Sequence, residues 1–184
     1  MHDPPVSATA AGLRSIGGGS AAADDVVLVS ESDRTPGWFD HLYRRHRKDT
    51  VRLARLLTGS AAAAEDLAHE AFIRLYRRSQ PIDNPVPFLR VVTVNVCRDW
   101  HRSQRRERLR AVRVGVDVDH LSLAARELDA SLARLPYHER AVIVLRYWLD
   151  LSESDIALTL GCRPGTVKSR HARALHKLNK ELSQ

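Results

Sequence analysis

The sequence predicts an all-α protein built from two small helical domains that a flexible linker joins. Apolar residues recur at spacings of three and four from Trp38 to about Arg106, and again from Leu121 onward, which is the period of an amphipathic helix. No segment alternates apolar and polar residues over a length typical of a strand. Between the helical stretches, AVRVGVDVDH carries Gly115 and lacks a helical period, so we place a linker at residues 107–127.

Composition and charge narrow the class of partner. The chain has 184 residues, 43% of them hydrophobic, which is enough for one ordinary core or two small ones. Its formal net charge is +7, concentrated in two basic blocks. Residues 38–106 hold 14 basic and 7 acidic side chains, and residues 131–184 hold 9 and 5. This distribution favours a polyanionic partner without identifying it.

The two cysteines and the N-terminus bear on the compartment. Cys97 and Cys162 lie far apart, so we do not expect a disulfide scaffold. The N-terminus lacks the basic segment and long apolar core of a secretory signal, and no run approaches the roughly 18 apolar residues that span a bilayer. We therefore expect a cytoplasmic protein with no membrane partner.

Residues 1–35 read as a disordered tail. They are rich in Ala, Gly and Ser, with prolines as breakers, and bury too little apolar surface to offset the entropy of ordering. The short run VVLV at residues 26–29 leaves open that part of the tail docks on the folded domains.

The first domain contains three predicted helices. The first begins at Trp38 and closes at Gly59, a typical C-cap, after which Ser60 caps a second helix. The stretch SQPIDNPVP has three prolines and predicts a rigid loop. A third helix is expected from Phe88 to about Arg106, ending in a basic run.

The second domain contains a predicted helix-turn-helix. The run ERAVIVLRYWL follows Pro136 and predicts a buried helix. In LSESDIALTLG, Ser152 and Asp155 fit a capping box, flanked by apolar residues that fit a hydrophobic staple. The helix ends at Gly161, and a three-residue turn leads to Pro164 at the start of the last helix. Short helices joined by such a turn are typical of DNA-binding proteins.

The last helix has two different faces. Advancing about 100° per residue places one apolar stripe inward and gathers short or basic side chains on the opposite face. The outward face suits a DNA major groove, and the first turn suits phosphates. The alternative is the solvated face that any basic amphipathic helix presents. The inward residues are Val167, His171, Ala174, Leu175 and Leu178; the outward ones are Lys168, Ser169, Ala172, Arg173 and His176; Thr166 and Arg170 would meet phosphates.

The C-terminal half is similar to the minus-35-binding domain of the extracytoplasmic-function (ECF) sigma factors of bacterial RNA polymerase. The motif that carries this resemblance is GTVKSR after LSESDIALTLG. In the other half, LARLLTGSAAAAEDLAHEAFIRLYRR resembles the polymerase-binding helices of the family, and NPVPFLRVVTVNVCRDWHRSQRR its minus-10-recognition helix. The resemblance covers about residues 38–182. It implies sigma region 2 at residues 36–106 and sigma region 4, with its helix-turn-helix, at residues 128–184.

The resemblance implies a polymerase-binding surface on the second helix. Asp66 and Glu70, with Leu67 and Phe72 near them, would engage the clamp helices of the large subunit of core RNA polymerase. His69 stands where the family usually has Gln. The competing interpretation of the acidic pair is an ordinary solvated helix face.

The resemblance also implies two DNA-binding surfaces. Asn95 would help hold a flipped minus-10 base, although it also fits a plain surface amide. In the last helix, Arg163 occupies the usual N-cap position without being able to cap it, and His171 stands where the family prefers Leu. Basic residues expected on the minus-10 backbone are Arg98, Arg102, Arg105 and Arg106, and the positions expected to contact minus-35 bases are Lys168, Ser169, Ala172 and Arg173.

The implied function is therefore promoter recognition, DNA melting and transcription initiation together with core polymerase. An anti-sigma factor is a further possible partner. A regulator that binds DNA without polymerase would explain the C-terminal half alone. An enzyme is not expected, because no HExxH or CxxC motif, glycine-rich phosphate loop or nucleophile elbow occurs. The sequence also indicates no cofactor and no metal.

Overall fold

A computed structural model describes residues 37–78, 82, 84–113 and 127–182. Throughout these ranges the regular elements are helices and no strand occurs, which confirms the all-α prediction. The predicted tail and residues 114–126 of the predicted linker lie outside the described residues. The helices are α1 (Trp38–Thr58), α2 (Ala61–Tyr76), α3 (Pro85–Arg113), α4 (Glu127–Arg134), α5 (Tyr137–Tyr147), α6 (Glu153–Leu160) and α7 (Pro164–Leu182).

The junction between α1 and α2 follows the predicted capping pattern. Gly59 has φ 72°, the left-handed conformation that glycine adopts most easily, and its N–H donates to the carbonyl of Arg55. The side chain of Ser60 accepts a hydrogen bond of 3.2 Å from the backbone N–H of Ala63. The chain therefore turns from α1 into α2 within two residues, and the helices pack side by side.

Helix α3 is longer than the sequence predicted, at both ends. It begins at Pro85, so the last residues of SQPIDNPVP form its first turn, where a proline loses no helical hydrogen bond. It continues to Arg113 instead of ending near Arg106, because ERLRAVR contains good helix formers. The helix therefore extends seven residues into the segment predicted as linker, residues 107–113. The 29-residue helix is about 43 Å long.

The helix-turn-helix is present where the sequence predicted it. The hydroxyl of Ser152 accepts from the backbone N–H of Asp155 at 3.1 Å and donates to the Asp155 carboxylate at 2.6 Å. Gly161 ends α6 with φ 61°. After the short turn, the N–H of Val167 donates to the carbonyl of Arg163, which therefore occupies the N-cap position of α7. Pro164 fits at the first position of that helix.

The two helical domains pack against each other through a shared core. One buried cluster joins Leu57 of α1 and Val94 of α3 to Leu145 of α5 and Ile156 of α6. A second cluster lies within the first domain, among α1, α2 and α3. A third joins α4, α5 and α7, and Leu56 of α1 packs against it. The sequence predicted two domains and did not predict this interface between them.

A buried arginine forms the polar centre of the interface. The guanidinium of Arg140 donates to the carbonyl of Leu57 at 2.8 Å, of Leu135 at 3.1 Å and of Ala133 at 2.5 Å. These carbonyls lie at the C-terminal ends of α1 and α4, where a helix lacks its own donors. Burial lowers the pKa of Arg140 to about 10. A cation–π contact, Arg52 over the ring of Trp148 at 3.9 Å, also crosses between the domains.

Two aromatic residues complete this contact. The hydroxyl of Tyr137 donates to the carbonyl of Val94 at 2.6 Å, and Nε2 of His101 lies 3.0 Å from the carbonyl of Leu57, to which it donates as the N–H tautomer. Burial lowers the pKa of His101; its bond to Leu57 opposes the shift, whereas Arg140 and Arg108 add to it. The interface thus favours a neutral imidazole at this position.

Acidification is expected to weaken the folded state through His101. Because its pKa is lowered in the folded chain, the unfolded chain binds more protons once the pH approaches 6.5 from above, and the free energy of unfolding falls as the pH drops further. Urea unfolding at a series of pH values measures this. His101→Gln keeps a donor but does not titrate, so its pH dependence should be flatter than that of the exposed-site control His41→Gln. Identical pH dependence in the two variants would contradict the prediction.

Candidate nucleic-acid interface

Helix α7 presents the outward face that its sequence predicted. Val167 and Ala174 are 1% and 0% exposed, and Leu178 is also buried, so this stripe seats the helix on the second domain. Leu175 and His171 lie half-buried at its edges. The exposed side chains are Lys168, Ser169, Ala172, Arg173 and His176, while Thr166 and Arg170 are half-buried near the first turn. The face is narrow and basic, as insertion into a major groove requires.

His171 is a boundary residue with a hydrogen-bonding partner. Its Nε2 lies 3.0 Å from the hydroxyl of Tyr147, and the two rings stack with their centroids 5.7 Å apart. Where a Leu would make an apolar contact, the imidazole of His171 makes a polar contact with Tyr147 at the edge of the core. His171 thus lies at the edge of the inward stripe to which its position in the sequence assigned it.

Two cations of the outward face lie beside carboxylates of neighbouring helices. Nζ of Lys168 is 3.6 Å from a carboxylate oxygen of Glu153, and Nε of Arg173 is 3.8 Å from one of Glu139. The side chains of Lys168 and Arg173 remain 68% and 61% exposed. Both cations are thus oriented by α5 and α6 yet accessible to a ligand.

The basic surface of α3 borders the second domain. Asn95 and Arg98 are half-buried, whereas Arg102, Arg105 and Arg106 are exposed. Asn95 follows Val94, whose carbonyl accepts the bond from α5 described above. The charges of Arg98 and Arg102 also help lower the pKa of His138 in the first turn of α5, after burial and Arg170. In this arrangement the predicted minus-10 face is therefore partly covered.

Helix α2 carries an acidic face, with one correction to the predicted set. Asp66 is exposed, and Glu70, one turn later, pairs with Arg74 at 2.8 Å while staying 44% exposed. Leu67 is half-buried against the shared core. Phe72 is 1% exposed and packs among the aromatic rings of α1, so it supports the helix from within and offers no contact surface to a partner.

Sequence reasoning missed the charged residues of α5. Glu139 and Arg140 are 8% and 4% exposed in a helix that the sequence indicated as strongly apolar. Their signal is visible in ERAVIVLRYWL: an adjacent acid and base at the start of a buried helix need partners. Two of those partners are the carbonyl of Leu57 for Arg140 and the side chain of Lys177 for Glu139. Periodicity does not identify them, because they lie far from α5 in the sequence.

Within the described ranges, no three His, Cys, Asp or Glu side chains group in a way that would hold a metal ion. No helix in this part of the chain is long and apolar enough to cross a membrane.

The two halves of the chain match two regions of one known protein family. Residues 42–107 match the family model for sigma-70 region 2, and residues 125–178 match sigma-70 region 4. The RNA polymerase sigma-E factor of Streptomyces avermitilis is 34% identical over 148 residues, covering 76% of this chain and 83% of that protein. The chain belongs to the ECF sigma factor family. Two distinct regions in family order are not expected for a DNA-binding regulator that works without polymerase.

Other relatives of this ECF sigma factor agree. The ECF RNA polymerase sigma factor SigE of Mycolicibacterium smegmatis is 35% identical over 163 residues, which is 81% of this chain and 63% of that protein. SigM of Mycobacterium tuberculosis strain H37Rv is 30% identical over 171 residues, covering 88% of this chain and 86% of the relative. The chain thus spans less than two thirds of the SigE relative and most of SigM.

Solved structures share the fold of this sigma factor. The sigma factor RpoE, in complex with the anti-sigma factor NepR from Bartonella quintana, aligns with a TM-score of 0.63 at 24% identity, over 80% of this chain and 98% of that one. CnrH, in complex with the cytosolic domain of CnrY, aligns with a TM-score of 0.57 at 26% identity, over 79% and 87%.

Proposed function

We propose that this sigma factor binds core RNA polymerase through α2 and recognises promoter DNA through α3 and α7, directing DNA melting and transcription initiation. The observation that carries the proposal is the presence of three charged surfaces on one chain: an acidic face on α2, a partly covered basic face on α3 and an exposed basic face on α7. A regulator that acts without polymerase has no use for the first of them.

The minus-35 element is assigned to α7. Lys168, Ser169, Ala172 and Arg173 face outward together, so the short side chains let the helix enter the groove while the long ones reach base edges. Thr166 and Arg170 lie near the first turn, where free backbone N–H groups also favour phosphates.

The minus-10 element is assigned to α3. Asn95 would hold an unstacked base, and Arg98, Arg102 and Arg105 would contact the backbone of the opening duplex. Because α3 continues to Arg113, its exposed Arg108 and Arg110 extend the same basic surface beyond the residues predicted from sequence. Unstacking a base costs a few kcal/mol, which contacts with polymerase must offset.

The two domains must separate for this function. The minus-35 and minus-10 elements lie about 25 base pairs apart, which is about 85 Å at roughly 3.4 Å per base pair. In the structure the domains share a core, and α3, the longest helix, spans about half of that distance. The packed arrangement therefore represents a state that does not contact both elements at once.

An anti-sigma factor is the proposed negative regulator. The similar structures of RpoE and CnrH were solved with the proteins NepR and CnrY, and the former is named an anti-sigma factor. A partner that favours the packed arrangement would keep the minus-10 face partly covered. Co-expression with candidate partners, followed by purification of a complex, tests this.

The polymerase assignment is tested by reconstitution. We expect the purified chain to co-purify with core RNA polymerase and to direct initiation in vitro, with start sites that share minus-35 and minus-10 sequences. Specific duplex binding without any association with core polymerase would instead favour the regulator.

Replacing Arg173 with Ala is expected to weaken binding to the preferred minus-35 sequence by about 1–3 kcal/mol, because a base contact is lost. Competition binding with single-base variants of that sequence measures the loss and locates the base. Lys180→Ala removes an exposed cation near the end of the same helix and should leave base preference unchanged. An equal loss on every DNA sequence would make Arg173 a phosphate contact.

A further inference from the structure

A buried carboxylate lies beneath the outward face of α7. The side chain of Glu139 is only 10% exposed, although it carries a charge. It lies in the first turn of α5, where the partial positive charge of a helix N-terminus favours an anion. A charge buried to this extent is retained only with partners.

The partners of Glu139 are two cations of α7, one turn apart. Nζ of Lys177 donates to Oε2 at 2.7 Å, and Nε of Arg173 lies 3.8 Å from Oε1. Each carboxylate oxygen therefore faces a different cation. The Lys177 bond is the shorter of the two, and the other carboxylate oxygen faces Arg173 independently of it.

Arg173 faces Glu139 with Nε, which leaves the other end of the guanidinium for a contact with DNA. Nε is the guanidinium nitrogen that faces Glu139, at the 3.8 Å distance of an ion pair without a hydrogen bond, so the two terminal nitrogens take no part in the pair, and the side chain is 61% exposed. Those terminal nitrogens are the ones that contact guanine O6 and N7 in a bidentate manner. A guanidinium held from behind also loses less conformational freedom when it binds a base.

We infer that Glu139 is a positioning residue that sets the minus-35 base preference of this sigma factor by holding Arg173 in the orientation for base contact. Lys177 pairs with the same carboxylate through its other oxygen and does not contact a base. This rests on the proposed contact between α7 and the minus-35 element, and adds a determinant from outside the helix-turn-helix.

The test compares holoenzymes assembled from core RNA polymerase and the full chain. Binding is measured on promoter duplexes that carry either the preferred minus-35 sequence, selected from random duplexes, or single-base substitutions of it. Arg173→Ala identifies the base that Arg173 contacts. We expect Glu139→Gln to reduce the preference at that base about tenfold and to add no further loss in the Arg173→Ala background.

Lys177→Met is the matched control for packing between α5 and α7. It removes the 2.7 Å bond but keeps the carboxylate beside Arg173, so base preference should change far less than in Glu139→Gln. Thermal unfolding of both variants shows whether they lose comparable stability.

Three results would overturn the inference. These are unchanged base preference in Glu139→Gln, an equal change in Lys177→Met, and an undiminished effect of Glu139→Gln when Arg173 is already Ala. If Arg173→Ala alone leaves base preference intact, the assignment of Arg173 fails together with the inference. Initiation by the wild-type holoenzyme would still support the polymerase role, so the two failures are distinguishable.

Discussion

An Asp66→Arg variant is expected to lose transcription with core RNA polymerase while the chain still folds. Asp66 is exposed on α2 and belongs to none of the buried clusters, so its replacement removes no core packing. Because the proposed polymerase-binding face is acidic, its partner surface is expected to be basic, and a positive charge in place of Asp66 should then cost several kcal/mol through like-charge repulsion. This corresponds to a fall in affinity of about a hundredfold or more.

In vitro transcription and co-purification with core polymerase measure this effect. Asp49→Arg is the matched control, since Asp49 is also exposed but lies on α1, outside the proposed surface. Its transcription should stay close to that of the wild type. Full activity of Asp66→Arg would refute the assignment of α2 as the polymerase-binding surface.

An Arg140→Met variant is expected to lose about 3 kcal/mol of unfolding free energy, because Met fills a similar volume but leaves the carbonyls of Leu57, Ala133 and Leu135 without their shared charged donor. Urea denaturation measures the change. Arg134→Met serves as control: Arg134 is exposed and its ion pair with Glu181 is long at 3.5 Å, so a loss under about 1 kcal/mol is expected. Similar small losses in both variants would show that Arg140 does not hold the interface.

The local structure of the chain was predictable where neighbouring residues specify it. Gly59, Ser60, Ser152 and Gly161 were all assigned as caps, and the structure places each at a helix end. The inward stripe of α7 was also predicted, since a 3.6-residue period settles which side chains share a face. The predicted ends of α3 were wrong. The helix starts earlier than predicted because its first turn tolerates proline, and it ends later because the residues after Arg106 continue to favour a helix.

The roles of individual site residues were harder to predict. Asp66 and Glu70 are accessible, whereas Phe72, two residues after Glu70 and on a different side of the helix, is in the core. A motif gives the residues that belong together but not which of them face outward. That depends on the helix against which α2 packs.

The sequence by itself determined the helical class, the capping pattern, the outward face of α7 and the resemblance to ECF sigma factors, because each depends on residues close together in the chain or on recognisable motifs. Only the tertiary structure decided that the domains share a core, that Arg140 joins the ends of α1 and α4, and that Glu139 lies behind Arg173. The bond from Arg140 to the carbonyl of Leu57 joins residues 83 positions apart, and the pair of Glu139 with Arg173 joins residues 34 positions apart. Their energies come from burial and from pairing polar groups across space, which local periodicity does not encode.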